Sequence, residues 1–143
     1  MVNEYYRFID AENYTVFYFA SEGTQGTVLK VVLFTLGEDN RWNLGFGDLR
    51  NGEIDDSIIT NNHDIVKVMC TIAKIIYLFF EKYPDATIAI RPVDEKRKRL
   101  YNSIFQRHLS EMKPIFEIIG FVGEESEVYS IGKNYDIFEI KLK

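Results

Sequence analysis

The chain has 143 residues, of which 46% are hydrophobic and 27% charged, with only 3 prolines, the composition of one ordinary soluble globular domain. A monomer of this size buries about two thirds of the surface its extended chain exposes, so a core forms without disulfides or metal. The formal net charge of −5 is uneven: residues 1–66 carry 4 basic and 11 acidic side chains (net −7), residues 67–143 carry 13 and 11 (net +2). This balance excludes a broadly basic nucleic-acid binder, since phosphate neutralisation drives such binding.

The lone Cys70 staples nothing and suits a reducing compartment. The start MVNEYYRFIDAENY has neither a basic n-region nor a continuous apolar run, so no signal peptide is read and a cytoplasmic location is expected. With no repeat, low-complexity stretch or Pro/Gly/Ser linker, residues 1–143 read as a single domain.

In chain order, an N-terminal strand at Tyr5–Ile9 precedes Tyr14–Ala20, rich in aromatic and β-branched residues, with Ser21-Glu22-Gly23 as its turn. Gly26–Leu36 is a near-continuous apolar strand, expected to be buried on both faces, and Gly37-Glu38-Asp39-Asn40 turns the chain. In Arg41–Asp48, Trp42, Leu44 and Phe46 point to one side while Gly45 and Gly47 leave the other bare. Arg50-Asn51-Gly52 turns again into a fourth strand, Glu53–Thr60.

The period then becomes helical. Asn61 or Asn62 caps a helix over His63–Tyr83, with Asp64 in its first turn. Its polar stripe of Lys67, Thr71, Lys74, Glu81 and Lys82 is narrow, which predicts a central core helix, and Lys67 and Lys74 break the run a membrane span would need. Within it Cys70 reads as a small buried hydrophobe. Ala86–Ile90 is a short buried strand. A second helix runs from Asp94 to Lys113, before strands at Ile115–Phe121, Glu127–Ile131 and Tyr135–Leu142. The expected class is α+β: a mainly antiparallel sheet in the order β-β-β-β-α-β-α-β-β-β, with two helices packed on one face.

The most informative segment is Arg91-Pro92-Val93-Asp94-Glu95-Lys96-Arg97-Lys98-Arg99-Leu100-Tyr101. At 100° per residue, Leu100, Tyr101, Ile104, Phe105, Leu109 and Met112 form one apolar stripe, with Arg97 and His108 inside it, Lys98 at its edge and Arg99 facing away. Four cations in the first turns of a helix oppose the macrodipole, so local propensity does not select them. Either Arg97 snorkels or pairs with an acidic residue of the sheet while Lys96, Lys98 and Arg99 are solvated, or the helix start is an anion site built from free N–H groups and a bidentate guanidinium. Its residues would be Arg97, Lys98 and Arg99, supported by Arg91 and Tyr101.

The stretch LGFGD (Leu44–Asp48), the pair Asp55-Asp56, the run Thr60-Asn61-Asn62 with Asp64, and RKRLY (Arg97–Tyr101) together resemble an uncharacterised bacterial domain family, found mainly in Bacteroidetes. The resemblance spans most of the chain and implies no activity.

A second chemistry is a metal-dependent hydrolase or nuclease using Asp48, Asp55 and Asp56 to hold Mg²⁺ or Mn²⁺. Adjacent strand residues face opposite ways, which works against Asp55 and Asp56 sharing an ion. No H-E-x-x-H, EF-hand, CxxC, GxSxG, Walker or GxGxxG signature occurs. The first expectation is therefore a non-enzymatic binding module without cofactor or membrane attachment, taking a phosphate-bearing ligand or nucleic acid at the second helix. A homodimer is open if Gly26–Leu36 lies at a sheet edge.

Overall fold

The computed structural model describes residues 4–55 and 62–143. They form an α+β fold with elements in the expected order: β1 (Phe8–Glu12), β2 (Val16–Gly23), β3 (Gly26–Leu36), β4 (Arg41–Arg50), β5 (Glu53–Asp55), α1 (Ile65–Lys82), β6 (Thr87–Ile90), α2 (Glu95–Met112), β7 (Phe116–Val122), β8 (Glu125–Val128) and β9 (Ile137–Leu142). Residues 56–60 of the expected fourth strand, and the candidate ligand Asp56 with them, lie outside the described residues. The chain divides into two compact units, Met1–Thr35 with Gly45–Tyr83, and Leu36–Leu44 with Pro84–Lys143.

In the first unit the strand order is β1-β2-β3-β4, with β5 on β4. Tight turns follow from residues that tolerate positive φ: Asn51 and Gly52 (φ 51° and 79°) close β4 onto β5, as an Asn-Gly type I′ hairpin does. The β2–β3 turn falls later than Ser21-Glu22-Gly23. Strand β2 continues through Gly23, which pairs with Gly26, leaving Thr24-Gln25 as the loop. The cause is Asn62, whose buried amide donates to Ser21 Oγ (3.1 Å) and Gly26 O (2.8 Å) and accepts from Gln25 N–H. A Cβ at Gly23 would strike the Asn62 carbonyl, so only glycine passes beneath it. Strand β3 lies between β2 and β4, not at an edge. Its centre is buried, but its ends, including Leu29 and Leu36, are exposed.

Helix α1 buries Ile72, Ile75, Phe79 and Phe80, with the Phe79 ring stacked on Phe34 of β3 at 4.1 Å. Burial of each such side chain contributes about 1.5–3 kcal/mol. It is an amphipathic helix, not one surrounded by core: Ile65, Val66, Ala73 and Tyr77 are exposed and Cys70 is half-buried. Thr71, expected on the wet side, is buried and accepts from Tyr6 N–H (2.8 Å). Neither Asn62 nor Asp64 caps it by side chain. Asp64 occupies the cap position, before the first turn, but its carboxylate accepts from Tyr6 OH (2.5 Å) and Ser21 Oγ (2.6 Å). Tertiary partners here outcompete the local cap.

In the second unit the order is β4-β6-β9-β7-β8, with β4 parallel to β6 and the other pairs antiparallel. Phe105 of α2 stacks on Phe138 of β9 at 4.6 Å, above Ile88, Ile118 and Ile140. Strand β8 begins and ends before the expected Glu127–Ile131, and Tyr129 just beyond it is buried. No helix among the described residues is long and apolar enough to cross a membrane.

Candidate functional site

Pro92 blocks helical hydrogen bonding before α2, and Asp94 in extended conformation (φ −153°, ψ 173°) caps the helix, accepting from Arg97 N–H at 2.8 Å. Asp94 and Glu95 place negative charge at the positive end of the dipole, which offsets the cations that follow. The inward Arg97 of the sequence reading is present, at 9% exposure. Its Nη1 donates to Asp94 Oδ2 at 2.5 Å, and its Nε is buried without a hydrogen-bond partner among the described residues. Arg97 therefore pairs with its own helix cap, not with an acid of the sheet.

The buried stripe of α2 is turned from the expected one. Lys98 and Asn102 lie along it with Phe105 and Leu109, while Leu100 and Ile104 are half-buried. Lys98, expected at the edge, has a side chain only 18% exposed and bonds Asp136 at 2.5 Å, with Glu95 at 3.8 Å. The Asp136 carboxylate holds the Lys98 ammonium above its ordinary pKa. In return, Lys98 and the Gly123 N–H hold Asp136 below the usual carboxylate range.

Asn102 is the hub that sequence periodicity missed. At 3% exposure its amide donates to Lys98 O, Asn134 Oδ1 and Tyr135 O, and its Oδ1 accepts from Tyr135 N–H and Tyr129 OH, at 2.8–3.1 Å. These bonds fix the segment from Tyr129 to Tyr135 on α2. Tyr135 is locked further: its hydroxyl accepts from Ser130 N–H and donates to Glu127, and its ring fills the space a Cβ at Gly120 would take. Burial pushes the Tyr129 hydroxyl pKa up.

The clamp leaves a surface hollow of about 340 Å³ lined by Arg99, Asn102, Ser103, Gln106, Gly132, Lys133 and Asn134. Arg99, Asn102, Ser103 and Gln106 recur at i, i+3, i+4 and i+7, a polar helical stripe that could have located it from sequence. Lys133 is paired with both Glu127 oxygens at 2.7 Å, which raises the Lys133 pKa and lowers that of Glu127. Arg99 is exposed, and its guanidinium has no hydrogen-bond or ion-pair partner among the described residues. Arg91 is exposed and Tyr101 half-buried. His108, half-buried, lies 3.8 Å from Glu111.

The acidic candidates assemble differently. Asp48 is 1% exposed and ion-paired with the equally buried Lys30 at 2.5 Å, while Arg50 reaches Asp48 (3.4 Å) and Asp55 (3.7 Å). Three cationic contacts thus neutralise the carboxylates a metal would need. Among the described residues, no group of three or more His, Cys, Asp and Glu side chains is placed to hold a metal ion. His63, expected in the first turn of α1, precedes the helix at φ +58°, its Nδ1 2.6 Å from Thr24 Oγ1.

Neither the curated proteins nor the solved structures contain a match to this chain. Residues 2–143 match one family model, and the chain belongs to the family of unknown function DUF6934.

Proposed function

We propose that the protein is a non-enzymatic binding module that takes a small phosphate-bearing ligand at the start of α2. Arg99 makes the charged contact; Arg91, Arg97, Lys98 and Tyr101, the other residues nominated at the helix start, do not line the hollow, and Arg97 and Lys98 are held by Asp94 and Asp136. The observation that carries this reading is the exposed guanidinium of Arg99, unpaired among the described residues, on the wall of a hollow lined otherwise by hydroxyl and amide groups, Gly132 and the Glu127-paired Lys133. A planar fork of donors suits bidentate contact with a phosphate, and the neutral groups suit the polar remainder of the ligand.

A small ligand fits better than nucleic acid, because the net charge of −5 repels a polyanion that would have to span several contacts. The half-buried Cys70, a lone thiol, is in keeping with a cytoplasmic setting. The test is an NMR titration with inorganic phosphate. Amides of Arg99–Ser103 and Gly132–Asn134 should shift, Arg99→Ala should abolish the response, and Arg107→Ala, on an exposed cation elsewhere on α2, should not. An unresponsive wild type sinks the reading. With a single-stranded oligonucleotide, a log–log salt slope near one would mark a single phosphate contact, and a slope of several would instead mark a nucleic-acid interface.

A further inference from the structure

Several of the polar groups around the hollow on α2 are already spent within the fold, and those left over define what the hollow can hold. Asn102 commits its amide to Lys98, Asn134 and Tyr135 and its carbonyl oxygen to Tyr129 and Tyr135. Lys133 is held by both Glu127 oxygens. Gln106 donates to Lys133 O at 3.1 Å, which leaves its own carbonyl oxygen as an acceptor. Asn134 accepts from Asn102 at 2.9 Å, which leaves its amide hydrogens as donors. The exposed Ser103 hydroxyl is bonded to no described residue, and a hydroxyl both donates and accepts.

Arg99, Ser103 and Gln106 stand in one row of α2, at i, i+4 and i+7, so about 10.5 Å of helix separates the first from the last. The row begins with a cation and continues with neutral groups. A phosphate on Arg99 therefore leaves the rest of its ligand beside Ser103, the Gln106 acceptor and the Asn134 donors. Sugar hydroxyls, which like that of serine donate one bond and accept two, satisfy such a mixed set.

A nucleotide suits these walls poorly. Bases are taken up on aromatic rings or between apolar walls, and no aromatic or branched aliphatic side chain of the described residues lines the hollow. Tyr129 and Tyr135, both bonded to Asn102, are fully buried and present no ring face. The exposed Ile131 adjoins Gly132 in the chain but does not line the hollow either. At about 340 Å³ the hollow is also at the small end for ligand sites, which run from roughly 300 to 1,000 Å³.

Given the phosphate site proposed above, on which this rests, we infer that its ligand is a hydroxyl-rich phosphate, a sugar or polyol phosphate, and not a nucleotide. Arg99 holds the phosphate, while Ser103, Gln106 and Asn134 hold the hydroxyls. The test is a set of NMR titrations of the full chain with inorganic phosphate, glycerol phosphate, ribose phosphate, glucose phosphate and adenosine monophosphate. The best of the three polyol phosphates should bind at least about tenfold tighter than inorganic phosphate, the effect of one or two further hydrogen bonds, and adenosine monophosphate no tighter than inorganic phosphate. Ser103→Ala and Gln106→Met, outside the buried stripe of α2, should each narrow that gap, whereas Ser110→Ala, at an exposed hydroxyl elsewhere on the helix, keeps it. Sedimentation with vesicles carrying an inositol phosphate headgroup, lost in Arg99→Ala, would place the same chemistry on a lipid; its absence beside a bound polyol phosphate would make the ligand a free one. Binding of inorganic phosphate with no gain from hydroxyls, or a preference for adenosine monophosphate, would overturn the inference and leave the phosphate site standing. No response to any of the phosphates would overturn both.

Discussion

Asn102 carries more of the second unit than any charged residue near it. Its amide satisfies both backbone groups of Tyr135 and meets the hydroxyl of Tyr129, two of the largest fully buried side chains. In Asn102→Ala the buried N–H and carbonyl of Tyr135 lose partners at once, and each unsatisfied group costs about 1–3 kcal/mol, while the Tyr129 hydroxyl keeps the backbone carbonyl of residue 102. With partial relaxation, an overall loss of about 3 kcal/mol is expected. The check is urea unfolding, where the midpoint should fall with little change in slope. Nothing in hydrophobic periodicity points to Asn102, because an amide among Tyr101, Ser103 and Gln106 reads as a wet residue. Its role depends on a segment about thirty residues away. Arg97 is the opposite case: its inward direction follows from its place on the helical wheel, whereas its partner, Asp94 on the same turn, becomes visible only in the structure.

At the scale of elements, the start of α2 rests on one aspartate with two duties. Asp94 accepts the Arg97 N–H as a cap and faces the Arg97 guanidinium as a counter-ion. Asparagine keeps an oxygen for the first duty and loses the second, whereas alanine loses both. Asp94→Ala should therefore unfold at lower urea than Asp94→Asn, the gap between them being the cap, about 1 kcal/mol. If the two variants coincide, Asp94 serves as a counter-ion alone. The same distinction between local and distant causes explains which elements could be read in advance. Asn51-Gly52 specifies its own turn, and the alternation of Trp42, Leu44 and Phe46 specifies its strand. The turn at Thr24-Gln25 and the uncapped start of α1 could not be read, since both depend on Asn62 and Asp64 bonding residues about forty positions away. The polar hollow was legible in principle as a stripe on α2, but its far wall comes from Gly132–Asn134, which only the Asn102 clamp brings there.

For the whole molecule, the same ion pairs set the dependence of stability on pH. Asp136 and Glu127 are held below the ordinary carboxylate range by Lys98 and Lys133 respectively. A carboxylate with a depressed folded pKa binds fewer protons than its unfolded counterpart, so its contribution is fully present above the unfolded value, about pH 4, and is lost as pH falls through the folded one. At the alkaline end the sign reverses. Tyr6 and Tyr129 are pushed up by burial, and Lys98 and Lys133 by their carboxylate partners. Their contributions are present below about pH 10 and fade as pH rises through the folded values. Stability should thus be flat from about pH 5 to 9 and fall on both sides. Since Lys98 and Lys133 lose their closest partners when the two acids are removed, Lys98 keeping only Glu95 at 3.8 Å, Asp136→Asn with Glu127→Gln should flatten the acid limb and shallow the alkaline one. The fall driven by Tyr6 and Tyr129 should remain. Thermal unfolding of the wild type and the double variant from pH 2.5 to 11 would read both limbs, and an acid limb as steep in the double variant as in the wild type would show that other carboxylates govern it.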